Sequence, residues 1–361
     1  MLSMIAAATS APIYYLCTQR HAYTIGVFLG YYHHGLGDLL RIIPYEKIDR
    51  LGRTATGNFI FTDFERLSAA QLQAASQLHQ SISAQDPAAL LLNNPAKVPG
   101  RFDLLKRLEA AGLNAFDVHR LDDRHAIRRF PVFVRWESRH DPPLTGLLDS
   151  AGALDAAIAG LPPKIRRNPD LMIVEYGAVP SSDGRFRKYS AYKVGPTIYP
   201  QHCFINENWY IKFPSTRFTE ADRAESRAYV AENPHASQIE RAFDLAGIDY
   251  GRIDYGIVDG RVQTFEINSN PTVLARPPNW DAAVNYSKYA EMHAHALRAL
   301  LRPPSPVVLD LGRGNQDVDR VHASAMRRVR RRIGWFDLRR TLSLRRLKKR
   351  LASPLGPPAT S

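Results

Sequence analysis

The 361 residues, 45% of them hydrophobic, are enough to bury one large core or two to three smaller ones. No run of about eighteen uncharged apolar residues occurs, so no transmembrane helix is expected, and two cysteines, Cys17 and Cys203, are too few for a disulfide framework or a thiolate metal site. The net charge of +13 suggests nucleic acid until it is located: residues 320–361 hold 13 Lys/Arg and one acid, Asp337, while the rest holds 35 basic and 34 acidic side chains, so the basicity belongs to a tail. The opening MLSMIAAATSAP lacks a basic n-region and is followed by a strand-like run, so a secretory signal is not expected, and with only two cysteines a reducing cytoplasm is the expected setting.

In chain order, Ile13 to Cys17 and Asn58 to Thr62 read as strands. Ser68 to Ser83 reads as a helix opened by a Ser cap, and Ala89 to Leu92 as a buried strand ending at Asn93-Asn94-Pro95. Strands alternating with helices predict a small α/β unit on a parallel sheet. Beyond it come a helix from Arg101 to a Gly112 stop, strands at Phe130 to Trp136 and Leu171 to Tyr176, and two strands between Arg185 and Cys203 joined at Gly195-Pro196. Ala236 to Ala246 reads as a helix, Gly251 to Asn268 as a hairpin around Asp259-Gly260, and Asn285 to Leu301 as a closing helix stopped by Pro303-Pro304.

The hairpin, GRIDYGIVDGRVQTFEINSNP, is the most informative segment. Arg252 and Asp254 share one strand face, as do Glu266 and Asn268, because side chains alternate along a strand. A two-residue turn would set Asp254 against Phe265. A three-residue loop, Asp259-Gly260-Arg261, pairs Val258 with Val262 and sets Asp254 against Glu266, and this second register is the expected one. It gathers Arg252, Asp254, Glu266 and Asn268 on one surface and leaves Tyr255 and Phe265 on the other. Two carboxylates and an amide oxygen make a hard-oxygen site suited to Mg²⁺, with Arg252 placed to neutralise a transferring phosphoryl group.

Asp254, then twelve residues to Glu266, then Ile267 and Asn268, resembles the metal-binding end of the ATP-grasp superfamily. The resemblance runs over about Leu90 to Leu301. Its style is closest to the glutathione synthetase and ribosomal-protein glutamate ligase branch, and closer still to an uncharacterised bacterial group. It implies an α/β chain with α+β subdomains: an N-terminal pre-ATP-grasp domain over 1–95, an ATP-grasp domain of two subdomains over 96–302, and a Pro-rich link with a basic tail over 303–361. It implies that Asp254, Glu266 and Asn268 are Mg²⁺ ligands and that backbone groups near Glu175 and Tyr176 hold adenine. Two positions where such families usually carry lysine are, by spacing, Arg101 and Arg135, which keep the charge and can fork onto phosphate oxygens. The usual glycine-rich phosphate lid is replaced by Glu137-Ser138-Arg139-His140-Asp141-Pro142-Pro143, whose Arg139 and His140 are candidate phosphate caps. Lys188 and Lys212 are candidates to face the triphosphate or acyl phosphate, although the cluster Arg185-Phe186-Arg187-Lys188 also suits an exposed strand edge protected by charge.

The implied activity is that of a carboxylate–amine ligase using ATP and Mg²⁺. A substrate carboxylate attacks the γ-phosphate to give an acyl phosphate and ADP, and an amine then displaces phosphate. Small-molecule or peptide carboxylates and amines are the expected substrates. One alternative is a non-catalytic nucleotide-binding protein. Another is a scaffold whose 320–350 tail, with Trp335, Phe336 and several leucines among its arginines, meets an anionic membrane or polyanion, docks on its own body, or remains disordered. The cluster GYYHHGLG, with Gly30, His33, His34, Gly35 and Gly37, matches no phosphate-loop or dinucleotide pattern. His293 and His295, two apart on a helix, point away from each other.

Overall fold

The computed structural model describes residues 10–31, 35–212, 219–273 and 286–333. Strands β1 (Ile13–Cys17), β2 (Leu40–Pro44), β4 (Asn58–Phe61) and β5 (Leu90–Leu92) form a parallel sheet in the order β2-β1-β4-β5. Helix α1 (Tyr23–Tyr31) links β1 to β2, and α2 (Ala69–Gln85) links β4 to β5. The apolar run of β1 is continuous because both sheet faces are covered. Ile13, Tyr15 and Cys17 pack with α1, while Tyr14 and Leu16 pack with Ala75, Leu78 and Ile82 of α2. Ser68 caps α2 as expected, exchanging bonds with Gln71 in a capping box.

Helix α3 (Arg101–Ala110) leads into a three-stranded antiparallel sheet of β6 (Val118–His119), β8 (Leu171–Glu175) and β7 (Val132–Trp136), in that order. Val132, Val134 and Ile173 pack there on Leu154 and Ile158 of α4 (Ala151–Gly160); the one-turn α5 (Pro163–Arg166) follows. A second antiparallel sheet runs β10 (Thr197–Asn206), β9 (Phe186–Val194), β11 (Tyr250–Val258), β12 (Arg261–Asn268). Helices α6 (Glu220–Glu232) and α7 (Ala236–Ala246) contribute Tyr229, Ile239 and Phe243 to its core. Lys188 and Arg187 pair with β10 on one side, beyond the end of the β9–β11 ladder at Tyr189. The side chains of Arg185 and Arg187 pair with Asp183, Asp222 and Glu225.

The hairpin reaches the expected pairing by a different route. Val258 pairs with Arg261, so the turn has two residues, Asp259 and Gly260, at φ +49° and +73°, the left-handed pair that a tight hairpin demands. A bulge then restores the face: Asp254 pairs with Glu266 but Tyr255 pairs with Thr264, leaving Phe265 as the extra residue. Counting residues across an unbroken ladder gave the wrong loop because it could not include this insertion.

The closing helix α8 (Tyr286–Arg298) buries Ala290, Ala294 and Leu297 between the two larger sheets. Residues 303–333 then return to the N-terminal unit. Strand β13 (Val308–Asp310) pairs with the short β3 (Arg53–Ala55), and residues 318–333 are helical. Val318, Val321, Ala325, Met326 and Val329 of that helix are buried, while Arg320, Arg327, Arg328, Arg330 and Arg331 are exposed. Val329 presses on Gly26, where an added Cβ would lie 2.8 Å from it. Arg41 pairs with Asp319, and the Ile42 N–H donates to His322 Nδ1 at 3.0 Å, so the helix covers the β2 edge. Residues 334–361, with the tail's aromatic and leucine positions, and His33 and His34 lie outside the described residues.

His293 of α8 is fully buried, with Nδ1 2.5 Å from the Tyr199 hydroxyl, and burial pushes its pKa down to about 3. In the unfolded chain it titrates near its ordinary value of about 6.5. Between those values the unfolded chain binds the extra proton, so stability present above pH 6.5 is lost as pH falls toward 3. Urea unfolding at pH 5 should therefore show about 2 kcal/mol less stability from this residue than at pH 7. A His293→Gln variant should show a correspondingly smaller fall.

Candidate functional site

A cavity of about 520 Å³ opens between the end of β8, one face of β9–β11–β12 and the N-terminal unit. It is lined by six Lys/Arg side chains (Arg66, Arg135, Arg187, Lys188, Lys212, Arg252) against three carboxylates (Glu175, Asp254, Glu266), so its balance favours an anionic ligand.

On its floor, the register puts Asp254 opposite Glu266 and Arg252 opposite Asn268. Asp254 Oδ1 accepts from Arg252 Nε at 2.9 Å and from Ser190 Oγ at 2.8 Å, and its Oδ2 from Lys188 Nζ at 3.3 Å. Glu266 pairs with Arg101, and Arg135 and His140 stand 4.0 and 3.9 Å from its Oε2. Asn268 Oδ1 accepts the Asn270 N–H at 2.9 Å. Burial alone would raise both carboxyl pKa values. Arg252, then Lys188, hold Asp254 well below the usual carboxylate range, and Arg101, then His140, bring Glu266 down to about 2. Both are therefore ionised at neutral pH, as metal ligands must be. Burial and the neighbouring Arg101 lower Arg135 to about 10, which leaves it charged. Among the described residues no group of three or more His, Cys, Asp and Glu side chains is arranged for a metal.

The remaining residues singled out in the sequence fall around this floor. Arg135, Glu175, Tyr176, Lys188 and Lys212 line the cavity. Arg101, in the first turn of α3, reaches it through Glu266, while its Nη1 donates to the carbonyls of Glu137 at 2.8 Å and Arg139 at 3.1 Å. That clasp fixes the segment standing where a glycine-rich lid was sought. Of the two candidate caps on it, His140 lines the cavity, whereas the Arg139 guanidinium lies 4.1 Å over the Trp136 ring.

At the other end the walls are aromatic: Phe116, Phe133, Tyr176, Phe186, Phe204 and Trp209. Trp209 sits with ring centroids 5.1 Å from Phe133 and 5.5 Å from Tyr176. The Glu175 carboxylate is engaged by the Asp117 N–H at 3.1 Å and by His119 at 3.3 Å. The backbone N–H groups of Glu175 and Tyr176 already donate to Asp117 and Pro131. Those of the next two residues, Gly177 and Ala178, have no partner among the described residues and line the cavity. Gly177 is pressed against Phe116, where a Cβ would stand 2.0 Å from the ring.

Sequence reading missed Tyr23, Thr24, Arg66, His202 and Asn270 on these walls. Only Asn270 carried a signal, as part of the polar turn after Asn268.

No protein-family model matches the chain, and no curated protein is similar to it. Among solved structures it is similar to D-alanine–D-alanine ligase from Bacillus anthracis, with 13% identity over 80% of this chain and 98% of that one, at a TM-score of 0.45. It is also similar to the ATP-grasp ligase PsnB complexed with minimal precursor (11% identity, 79% and 99% covered, TM-score 0.44) and to D-cycloserine synthetase DcsG (14% identity, 79% and 99% covered, TM-score 0.43).

Removing one partner of a buried charge cluster leaves the others unpaired. Asp254→Ala should accordingly lower stability by about 3 kcal/mol in urea titration, because Arg252 and Lys188 both lose their carboxylate.

Proposed function

We propose that this chain is an ATP-grasp enzyme, an ATP- and Mg²⁺-dependent carboxylate–amine ligase working through an acyl phosphate. The observation that carries the proposal is the face-to-face placement of Asp254 and Glu266, with Arg252 and Asn268 beside them, on the floor of a cavity lined by more cationic than anionic side chains.

The donor set fits a hard divalent cation: two ionised carboxylates and an amide oxygen, with neither sulfur nor imidazole among them. In this reading Asp254, Glu266 and Asn268 would hold Mg²⁺, which supplies charge neutralisation on phosphate oxygens when bound. Arg252, locked onto Asp254, stabilises negative charge developing on the transferred phosphoryl group. Arg101, Arg135, Lys188 and Lys212 orient the phosphates. The aromatic walls take the base, and the N–H groups of Gly177 and Ala178, just past Glu175 and Tyr176, are donors for its edge. Walls of this kind exclude water from an acyl phosphate, which would otherwise hydrolyse. No side chain needs to act as a nucleophile. The substrates are a carboxylate and an amine, small molecules or peptides.

The hold of Arg101 on both Glu266 and the 137–139 backbone favours a second reading, a nucleotide-binding protein without turnover, since a guanidinium already occupies one proposed metal ligand. The exposed arginines of the 318–333 helix, near Lys47 and Arg50, suit contact with an anionic membrane or polyanion in either case.

Calorimetry should show Mg²⁺-dependent ATP binding by the intact protein and its loss in a Glu266→Ala, Asn268→Ala double variant; equal binding by the two proteins would sink the proposal. ADP release in a screen of acid and amine pairs separates the ligase from the non-catalytic reading. Gly177→Val, which drives the segment after β8 off Phe116, should weaken ATP binding by roughly tenfold, about 1.4 kcal/mol, with little change in the metal requirement.

A further inference from the structure

The cavity wall opposite the aromatic end belongs to the N-terminal unit. From β1 the chain moves to β2 on one side and later to β4 on the other, so the loops after β1 and β4 separate at the carboxyl edge of the sheet. Open α/β sheets take ligands at such a point. The first loop and the start of α1 bring Tyr23 and Thr24 to the cavity, and the second loop brings Arg66.

Arg66 is held for presentation. Its Nη1 donates to Asp63, which is fully buried, and to Glu65 at 2.9 Å. Asp63 is fixed in turn by the Thr18 N–H at 2.9 Å, and Glu65 by Ser269 Oγ at 2.9 Å. These anchors use one nitrogen of the guanidinium. Among the described residues Nε and Nη2 have no partner. The Ser269–Glu65 bond also ties this loop to the turn after β12, next to Asn270.

Asn270 is 1% exposed, and its Nδ2 is buried without a partner. Its Oδ1 lies 2.8 Å from the Tyr15 hydroxyl and 2.5 Å from Thr24 Oγ1. Both distances suit O–H···O rather than N–H···O bonds; the Tyr15 hydroxyl donates to Oδ1, Thr24 Oγ1 shares its one proton between Oδ1 and the His21 carbonyl at 2.9 Å, and the amide NH₂ of this cavity-lining residue is left without an acceptor. A buried donor without an acceptor costs free energy unless something completes it.

We propose that Arg66 Nε and Nη2 and Asn270 Nδ2 form an anion subsite that binds a carboxylate on the substrate other than the one being activated. Planar donors on two residues that line one cavity match the two oxygens of a carboxylate. The subsite lies where the N-terminal wall, through Arg66, meets the turn after β12, whose Asn270 N–H bonds Asn268 Oδ1 at the margin of the floor where activation is placed. The assignment of the bound group as the non-reacting end rests on the ligase reading; the anion contact itself does not. The substrate is then bifunctional, with one end read by the N-terminal unit and the other brought to the phosphates.

The test is calorimetry with a panel of dicarboxylic acids, amino acids and dipeptides, each paired with the amide of the carboxylate in question, with Mg²⁺ and a non-hydrolysable ATP analogue present. At least one acid should bind, with its amide weaker by roughly tenfold or more. Asn270→Asp keeps the acceptor for Tyr15 and Thr24 and removes the donor; Arg66→Lys keeps a charge for Asp63 and removes the fork. Each should cost the acid roughly tenfold in affinity, with Arg66→Lys leaving that of the ATP analogue unchanged and thermal melts confirming the fold. The proposal is overturned if no acid binds, if acid and amide bind alike, or if both variants bind as the intact protein does. Tighter binding of an amine to the intact protein than of any acid would also overturn it, because it would put the Asn270 oxygen on the cavity side. Acid binding that persists without the nucleotide analogue would keep the subsite even if the nucleotide reading failed.

Discussion

Asp254 and Glu266 face each other on paired strands, at a separation where like charges repel, and much of the surrounding structure serves to hold them ionised there. The neutralising groups come from different parts of the chain. Arg252 is on the same strand as Asp254, Lys188 comes from β9, and Arg101 comes from the first turn of α3. Pairing Arg101 with Glu266 places α3 over β12, and its other bonds set the course of the 137–139 segment. Ser190, beneath Asp254 on β9, completes the set and fixes the register of the central strands. A cavity floor of two carboxylates thus constrains one helix, three strands and one loop at once.

The cavity has two chemically different ends. Toward the β8 hinge it is aromatic and close-packed, with backbone donors past Glu175. Toward the parallel sheet it is polar, with donors held by buried carboxylates and hydroxyls. The charge cluster lies between them. A ligand filling the whole space would be flat and apolar at one end and anionic at the other, and the two ends would be sensed by different layers of the fold.

Much of this was legible because local signals agreed with the final packing. The unbroken apolar run of β1 marked a strand. Ser68 marked a helix start, and the spacing of Asp254, Glu266 and Asn268 marked one surface. The hairpin loop was misread because a bulge shifts the register without leaving a residue type that announces it. Phe265 is an ordinary strand residue whose insertion serves the carboxylate pair. Arg66, Thr24 and His202 were invisible for a different reason: they join the site only through topology. The bond from Tyr15 to Asn270 spans 255 residues, and no local period encodes a contact of that range.

The return of residues 303–333 to the N-terminal unit has a consequence for the order of assembly. Strand β2 is an edge whose Ile42 N–H is met by His322, β3 has β13 as its partner, and α1 is shaped at Gly26 to receive Val329. A chain emerges from the ribosome N-terminus first, and its early segments generally fold first. Here the first sheet to emerge keeps an open edge and a bare helix face until more than two hundred further residues have been synthesised. The edge of this sheet is therefore closed by a segment made long after it.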